Sequence, residues 1–319
     1  MKTSTWGLAM AALAAASAAW AQTDASDYPR ENVELIVPYS AGGGVGAMAR
    51  AFAQQAQAVT RQNWVVVHRE GAGGVVGFTA LANARPTGYT VAFSPASPLT
   101  NSPFVNAKMP FQASQIEPIC QIFENVFSVA VKESSPIRSF DELVAKAKAQ
   151  PGSVSYSHAG PASIPHLSMA AIERDAGVRF NAIAYRGDGP AIQDLMGGVV
   201  DFSAPAISSL PGKPLRVLAV LSDKRHPAYP DVPTVKESGH TVISPGLNGL
   251  YVPKGTPGPV VARLEAICKQ VTQSPAFAES AKNLYQVPAY LPAMQFQERI
   301  AQTYKVHATL VPSMKLETK

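Results

Sequence analysis

A unit that occurs three times constrains the fold most: an apolar strand runs into a loop rich in Gly, Ser or Pro, and that loop opens a helix. The three loops are residues 39–46, 159–166 and 186–190. Before the first of them, Val33 to Pro38 is a continuous apolar run, which suits a strand buried on both faces. Because parallel strands need a covering crossover, the alternation predicts an α/β fold with doubly wound sheets.

Periodicity and turn signals along the rest of the chain predict the remaining elements. Strands are expected at 64–68, 89–94, 127–131, 154–157, 181–185, 199–202, 215–221 and 248–252. Helices are expected at 48–59, 75–84, 139–150, 164–176, from 190 onward, 258–273, 275–284 and 293–311. No short fixed period repeats, so the pattern excludes a solenoid.

The N-terminus has the features of an export signal. Lys2 precedes an Ala-rich apolar run that closes with Ala19-Trp20-Ala21, a signal-peptidase pattern, so we predict a cleaved signal over residues 1–21. That run is short for a membrane span, and the cleavage region has no Cys for a lipid anchor. We therefore expect release into the periplasm. The remaining residues, 319 less 21 or about 298, exceed what one core usually organises, which predicts two lobes.

Charge and cysteine content narrow the partners. Loss of Lys2 leaves 26 basic against 22 acidic residues, a net charge of +4 that suits an anionic solute. No basic cluster with interleaved aromatic residues occurs, so we expect no nucleic-acid partner. In an oxidising compartment the two cysteines, Cys120 and Cys268, can form a disulfide or remain buried thiols, and the sequence leaves both alternatives open.

The first loop is a candidate anion site. Ligands of open α/β sheets bind at the carboxyl ends of strands, where the free N–H groups of a following helix favour negative charge. We expect Ser40, Ala41, Gly42 and Gly43 to donate hydrogen bonds to a carboxylate, with Tyr39 in the wall. The alternative is a Gly-rich turn that serves packing alone.

The other two loops supply further candidates. Ser163 is placed to cap its helix, and His166 lies in that helix's first turn, as a ligand contact or as a structural histidine. Arg186 ends a strand beside Gly187, where it could clamp a carboxylate or form an exposed ion pair.

Two rival functions use the same loops. Gly42, Gly44 and Ala47 satisfy the dinucleotide pattern G-x-G-x-x-A, and Glu70 ends the next strand. A chain exported unfolded would not carry a cytoplasmic cofactor, so we expect no cofactor.

The second rival is a periplasmic hydrolase-type enzyme that uses His166 with Ser163 or Asp188 as acid–base groups. The sequence has no nucleophile elbow and no metal-ligand spacing, so we predict a binding protein without catalysis.

Longer motifs then point to a family. The segments VPYSAGGGVGAMAR, SVSYSHAG, AYRGDGPAIQDLMGG, LRVLAVLSDKRHPAYPDVPTVKESG and GLYVPKGTP occur in order over nearly the whole mature chain. The set resembles the Bug family, the extracytoplasmic receptors of tripartite tricarboxylate transporters. The resemblance implies a type II periplasmic-binding-protein fold with two α/β lobes joined by crossover strands. It also implies a small carboxylate ligand. We expect a monomer, with membrane subunits of a transporter or a sensor as partner.

For a binding protein of this kind we expect one lobe at about Tyr28 to Asn125 plus Asn248 to Lys319 and the other at about Val126 to Leu247, with hinges near both joins. Carried over position by position, the resemblance adds four residues to the expected cleft: Ser97, Gly160, Ala162 and Ala204.

Three departures bear on the ligand: Gly160-Pro161-Ala162 is stiffer than the family's usual Gly-x-Gly, Arg186 replaces a frequent Lys, and 202–209 is mostly neutral. An ordinary dicarboxylate is therefore not assumed.

Overall fold

The computed structural model describes residues 27–243, 245–314 and 316, so the predicted export signal lies outside the described residues. Within that part of the chain, eleven strands form two mixed sheets. The strands are β1 (Val33–Val37), β2 (Trp64–His68), β3 (Thr90–Pro95), β4 (Ile116–Asn125), β5 (Phe127–Lys132), β6 (Ser155–His158), β7 (Asn181–Ala184), β8 (Phe202–Ser203), β9 (Leu215–Leu221), β10 (Gly246–Pro253) and β11 (Pro288–Pro292).

Nine α-helices pack around these sheets in the described residues. They are α1 (Gly44–Thr60), α2 (Val75–Ala82), α3 (Ser97–Thr100), α4 (Phe140–Ala149), α5 (Ile164–Ala176), α6 (Asp188–Gly197), α7 (Gly258–Thr272), α8 (Pro275–Asn283) and α9 (Ala293–Ser313). Their ends follow the local sequence: the Ser139 hydroxyl accepts from the Glu142 N–H at the start of α4, and α5 ends at Gly177 in the left-handed conformation. None of the described helices is long and apolar enough to cross a membrane.

The first sheet has the order β11-β4-β10-β3-β1-β2. β1 lies parallel to β2 and to β3, whereas β10 runs antiparallel to β3 and β4. The carboxyl end of β1, with the Gly-rich loop that follows it, is therefore at the edge of this sheet where a ligand would be expected.

The second sheet has the order β7-β6-β8-β5-β9. β6 lies parallel to β7 and β8, and β5 runs antiparallel to β8 and β9. The loop after β6 is the second predicted loop, so each sheet carries one Gly-containing loop that opens a long helix.

Each sheet has its own apolar core. The first contains Phe52 and Phe93 and is tied by a disulfide between Cys120 on β4 and Cys268 on α7. The second contains Tyr156 and Phe202, whose rings stack with centroids 5.2 Å apart. Of the two alternatives for the cysteines, the structure has the disulfide.

Two crossings connect the sheets. The chain leaves the first sheet at Asn125, the last residue of β4, and enters the second at Phe127, with Val126 between them. It returns after β9 and re-enters the first sheet with β10 at Gly246. These crossings make a two-lobed α/β protein, as predicted.

Two strands were not predicted, and each has a physical reason. β4 reads IEPICQIFEN, in which Pro118 and the three-residue spacing of Ile116, Ile119 and Ile122 obscure the alternation of a strand. β11 reads PAYLP and has a proline at each end, which sequence rules associate with loops. It lies at the edge of the sheet, where a strand tolerates proline.

Candidate functional site

The loops after β1 and β6 face each other across a small cavity between the lobes. Its lining comes from both lobes and from the crossings: Tyr39, Gly43, Gly44, Val45, Pro95, Ser97, Asn125, Phe127, Ala159, Ser163, Ile164, Pro165, Asp188, Ala206 and Gly246. The room for the centres of water molecules is about 30 Å³, enough for about two waters. The lobes are therefore nearly closed on each other.

In the first lobe, α1 begins at the cavity wall. Gly43 and Gly44 are buried, and the Gly44 N–H donates to Ser209 Oγ of the second lobe at 2.8 Å. The next N–H, that of Val45, donates to no atom of the described residues. The Tyr39 hydroxyl donates to the Gly73 carbonyl at 2.8 Å, and burial raises the pKa of this phenol. This wall thus presents one unused first-turn N–H, that of Val45, beside a neutral aromatic ring.

In the second lobe, α5 begins at the opposite wall. The hydroxyl of Ser163, the residue before the helix, donates to the Gly160 carbonyl at 2.7 Å instead of capping the helix. Ile164 lines the cavity, and its N–H has no acceptor among the residues that the structure describes. A second helix N-terminus with an unused donor therefore faces the same space.

Direct hydrogen bonds hold the lobes together around the cavity. The Ser40 N–H donates to the Arg186 carbonyl at 3.0 Å, and Asn101 Nδ2 donates to the Ala162 carbonyl at 2.9 Å. Asn101 Oδ1 lies 2.6 Å from Nδ1 of the buried His307.

Glycines allow this approach. A Cβ on Gly73, whose φ is +63°, would lie 2.2 Å from the Pro161 carbonyl oxygen. A Cβ on Gly160 would lie 2.8 Å from the Gly73 nitrogen. Only glycine fits this contact between the lobes at both positions.

One charged side chain lines the cavity in the described part of the chain, and it is acidic. Asp188, the first residue of α6, is buried, and its Oδ2 accepts from the Ser209 hydroxyl at 2.7 Å and from the Ala206 N–H at 3.0 Å. Burial raises the pKa of this carboxyl, although the two hydrogen bonds oppose the shift.

The arginine beside this acid points elsewhere. The Arg186 side chain is 74% exposed and lies 3.7 Å from Glu70, so its carbonyl and not its guanidinium takes part in the contact between the lobes. Glu70, the acid of the dinucleotide pattern, is thus part of an ion pair between the lobes.

A stacked pair of histidines lies behind the second loop. The rings of His158 and His166 are 4.3 Å apart and nearly parallel. Burial lowers the pKa of His158 to about 3 and that of His166 to about 4, so both rings are neutral at pH 7. His166 Nδ1 accepts from the Ala162 N–H at 3.3 Å, and the Ser163 hydroxyl is bonded to Gly160. The Ser–His pair that the hydrolase alternative requires is therefore not formed.

The structure brings together part of the predicted set. Tyr39, Gly43, Ser97 and Ser163 line the cavity. Four others lie at the contacts that surround it: Ser40, Gly160, Ala162 and Gly187.

The rest of the predicted set lies away from the cavity wall. Ala41 and Gly42 are exposed, Ala204 is in the second core, and the side chains of His166 and Arg186 do not line the cavity. Two residues beyond Ala204, Ala206 takes the cavity position.

Several lining residues were missed by sequence reasoning about loops. Asn125, Phe127 and Gly246 come from the crossings between the lobes, and no loop motif marks them. Asp188 was named only for the enzyme alternative and not for ligand binding, although its position in the predicted 186–190 loop at a strand end was a usable signal.

A larger recess lies on the other side of residues 124–127, where the chain crosses from the first sheet to the second. It has room of about 430 Å³ and is lined by Glu124, Val126 and residues 221–227 among others. Asn125 and Phe127 face the first cavity and their neighbours face this one, because successive side chains of a strand alternate. No N-terminal turn of the nine helices lines it in the described residues, so it lacks the donors of the first cavity.

Comparisons with known proteins agree with this architecture. The model of the tripartite tricarboxylate transporter family receptor matches residues 48–316. A Cupriavidus necator protein, described as the UPF0065 protein in the gbd 5′ region, is 31% identical over 319 residues, covering 97% of each chain.

Solved structures show the same fold. The periplasmic binding protein BugD superimposes with a TM-score of 0.85 at 28% identity, covering 91% of this chain and 99% of that one. An R. palustris protein solved with adipate gives a TM-score of 0.86 at 23% identity, covering 90% and 98%, and shows a shared fold. The predicted periplasmic-binding-protein fold is confirmed. With a family match over most of its length, this chain belongs to the receptors of the tripartite tricarboxylate transporter family.

Proposed function

We propose that this chain is a periplasmic receptor that captures a small carboxylate-bearing solute between its lobes and releases it unchanged. One observation carries the proposal. Two helices from opposite lobes, α1 and α5, begin at one cavity, and the N–H groups of Val45 and Ile164 there have no acceptor in the described residues. Unused first-turn donors with the positive ends of two helix dipoles favour an anion.

The chemistry of the lining favours a carboxylate held by backbone groups. Lys and Arg are absent from the described lining, so the helix ends would supply the positive potential. A hydrogen bond to a charged group is worth about 1.5–3 kcal/mol. Two such bonds would contribute about 3–6 kcal/mol, a large share of the roughly 8 kcal/mol that a micromolar complex requires. The R. palustris protein with adipate supports a carboxylate as the class of ligand.

Capture requires the lobes to open. Room of about 30 Å³ admits water but not an organic acid, so the solute enters an open form and the lobes close around it. We place the hinges at the two crossings, near residues 125 and 247, with residues 28–125 and 248–319 as one lobe and residues 126–247 as the other. The contact of Ser40 with Arg186 then forms on closing.

The cellular setting follows from the same proposal. The chain is exported by a signal cleaved after residue 21, acts as a monomer, and presents its closed form to membrane subunits of a transporter or to a sensor. It performs no chemistry in this proposal, because the Ser163 hydroxyl donates to the Gly160 carbonyl and His166 Nδ1 accepts from the Ala162 N–H, so the two side chains are not paired. A turnover assay on any solute that binds tests this: the solute should be recovered intact.

Calorimetry on refolded, ligand-free protein tests the function itself. The panel contains monocarboxylates, dicarboxylates, tricarboxylates and aromatic acids, each with its methyl ester or amide as the uncharged control. We expect at least one acid to bind while its uncharged control does not. Binding of none of the acids, or equal binding of acid and ester, would contradict the proposal.

A further inference from the structure

The buried acid in the cleft is not explained by carboxylate capture. Asp188 is 9% exposed, lines the cavity, and has both of its hydrogen bonds on Oδ2, from Ser209 and Ala206. Its other oxygen, Oδ1, has no donor among the residues that the structure describes. The neighbouring cation, Arg186, is turned outward toward Glu70. Asp188 is thus a desolvated carboxylate that has no counterion within the described part of the chain.

This acid lies beside the helix end where we place the solute's carboxylate. A Cβ on Gly43 would be 3.5 Å from the Asp188 Cβ. Ser209 bridges the two groups, since it accepts from the Gly44 N–H and donates to the Asp188 carboxylate. Two anions this close in a buried cavity repel each other unless a positive charge lies between them.

The surroundings offer the acceptors that an ammonium group needs. The hydroxyls of Ser40 and Ser208 are buried, and neither has a hydrogen-bond partner in the described residues. Ser40 Oγ lies 2.7 Å from where a Cβ on Gly187, the residue before Asp188, would be placed. Ser208 Oγ lies 2.0 Å from where a Cβ on Gly44 would be placed, next to the Gly43 that approaches Asp188. An ammonium group has three donors and no acceptor, which matches one carboxylate oxygen and two hydroxyl oxygens.

We propose that Asp188 binds the ammonium group of a zwitterionic solute, which makes the solute an amino acid and not a plain dicarboxylate or tricarboxylate. The inference rests on the proposed function, because it assumes that the solute's carboxylate occupies the ends of α1 and α5. An α-amino acid carries both charges on adjacent carbons, as the short distance between Gly43 and Asp188 requires.

Matched acids test this assignment by calorimetry at pH 7. The probes form two series with one substituent changed: succinate, malate and aspartate, and glutarate, 2-hydroxyglutarate and glutamate. We expect an amino acid to bind the wild-type protein at least tenfold more tightly than both of its counterparts. Asp188→Asn keeps the shape and one acceptor but removes the charge, so this preference should fall at least tenfold.

Asp194→Asn is the control. Asp194 lies on the same helix, accepts from the Tyr185 hydroxyl at 2.6 Å and does not line the cavity, so its amide should leave the preference unchanged. If Asp188→Asn fails to fold, the two series on the wild-type protein still decide.

Each other outcome overturns the inference. Equal binding of diacids and amino acids removes the need for a counterion at Asp188. Preference for the hydroxy acids assigns a hydroxyl group, not an ammonium group, to this position. If no acid of the wider panel binds at all, the proposed function fails, and this inference fails with it.

Discussion

A methyl group on Gly44 tests whether the lobes close as the structure shows. Gly44 is the first residue of α1 and does not need a positive φ, so alanine is compatible with its own lobe. The new Cβ would lie 2.0 Å from Ser208 Oγ and 2.7 Å from Ser208 Cβ in the other lobe. Rotation of the serine side chain relieves the first overlap but not the second, so Gly44→Ala opposes closure.

The size of the effect follows from these distances. Ordinary contact begins at 3.4 Å, so the two Cβ atoms must separate by 3.4 less 2.7, or about 0.7 Å. The same movement lengthens the 2.8 Å hydrogen bond from the Gly44 N–H to Ser209 Oγ to about 3.5 Å, beyond useful strength. Overpacking and one lost hydrogen bond cost about 1–3 kcal/mol. Affinity should fall about 5- to 150-fold.

Calorimetry with the acid that binds the wild-type protein most tightly measures this loss, and small-angle scattering with and without that acid measures closure. Gly258→Ala is the matched control, because Gly258 is also the first residue of a helix and its Cβ would meet nothing within 4 Å. We expect the control to bind and compact like the wild type. Unchanged affinity and compaction in Gly44→Ala would refute the closed arrangement of Gly44 against Ser208.

Three further predictions concern other parts of the structure. Val45→Pro removes one free N–H from the first turn of α1, where proline is tolerated, and should weaken acid binding about 10- to 150-fold. Asp141→Pro, at the matching second position of α4, should leave acid binding unchanged. Equal affinity of the two variants would argue against the helix-end site. Replacing Cys120 and Cys268 by Ser opens a loop of 148 residues and should lower the free energy of unfolding by about 2–5 kcal/mol, measured by urea titration. Affinity for the acid should stay the same. Unaltered stability would contradict this prediction. The pKa of His166 is lowered from 6.5 to about 4, so the unfolded state binds a proton that the folded state does not, and stability falls as the pH drops from 6.5 towards 4. In thermal melts across this pH range, His166→Gln should lose up to about 3 kcal/mol less folding free energy than the wild type. An identical pH profile of the two proteins would show that the ring titrates normally.

Much of the fold follows from local sequence. The runs at Val33–Val37 and Leu215–Leu221 are strands because continuous β-branched and aliphatic residues suit a buried position. Strand β4 (Ile116–Asn125) could not be predicted in this way, because its pairing with β10 depends on a segment more than 100 residues away. Local pattern does not encode such a contact.

The site was predictable where it depends on loops and not where it depends on packing. Tyr39 and Ser163 follow buried strands, which is a local signal. Arg186 was expected to act through its guanidinium, yet its carbonyl makes the contact, because the side chain finds Glu70 at the surface. Ala206, two residues beyond the predicted Ala204, lines the cavity. Ala204 packs in the second core instead, because the core fixes the path of the chain after β8.

A crystal structure of the complex with the tightest-binding acid tests the central claim most directly. We predict a carboxylate oxygen within about 3 Å of the Val45 and Ile164 nitrogens, between lobes in contact through Ser40 and Arg186. An acid held by the Arg186 guanidinium, or in the recess beside Glu124, with both amides left unoccupied, would contradict it.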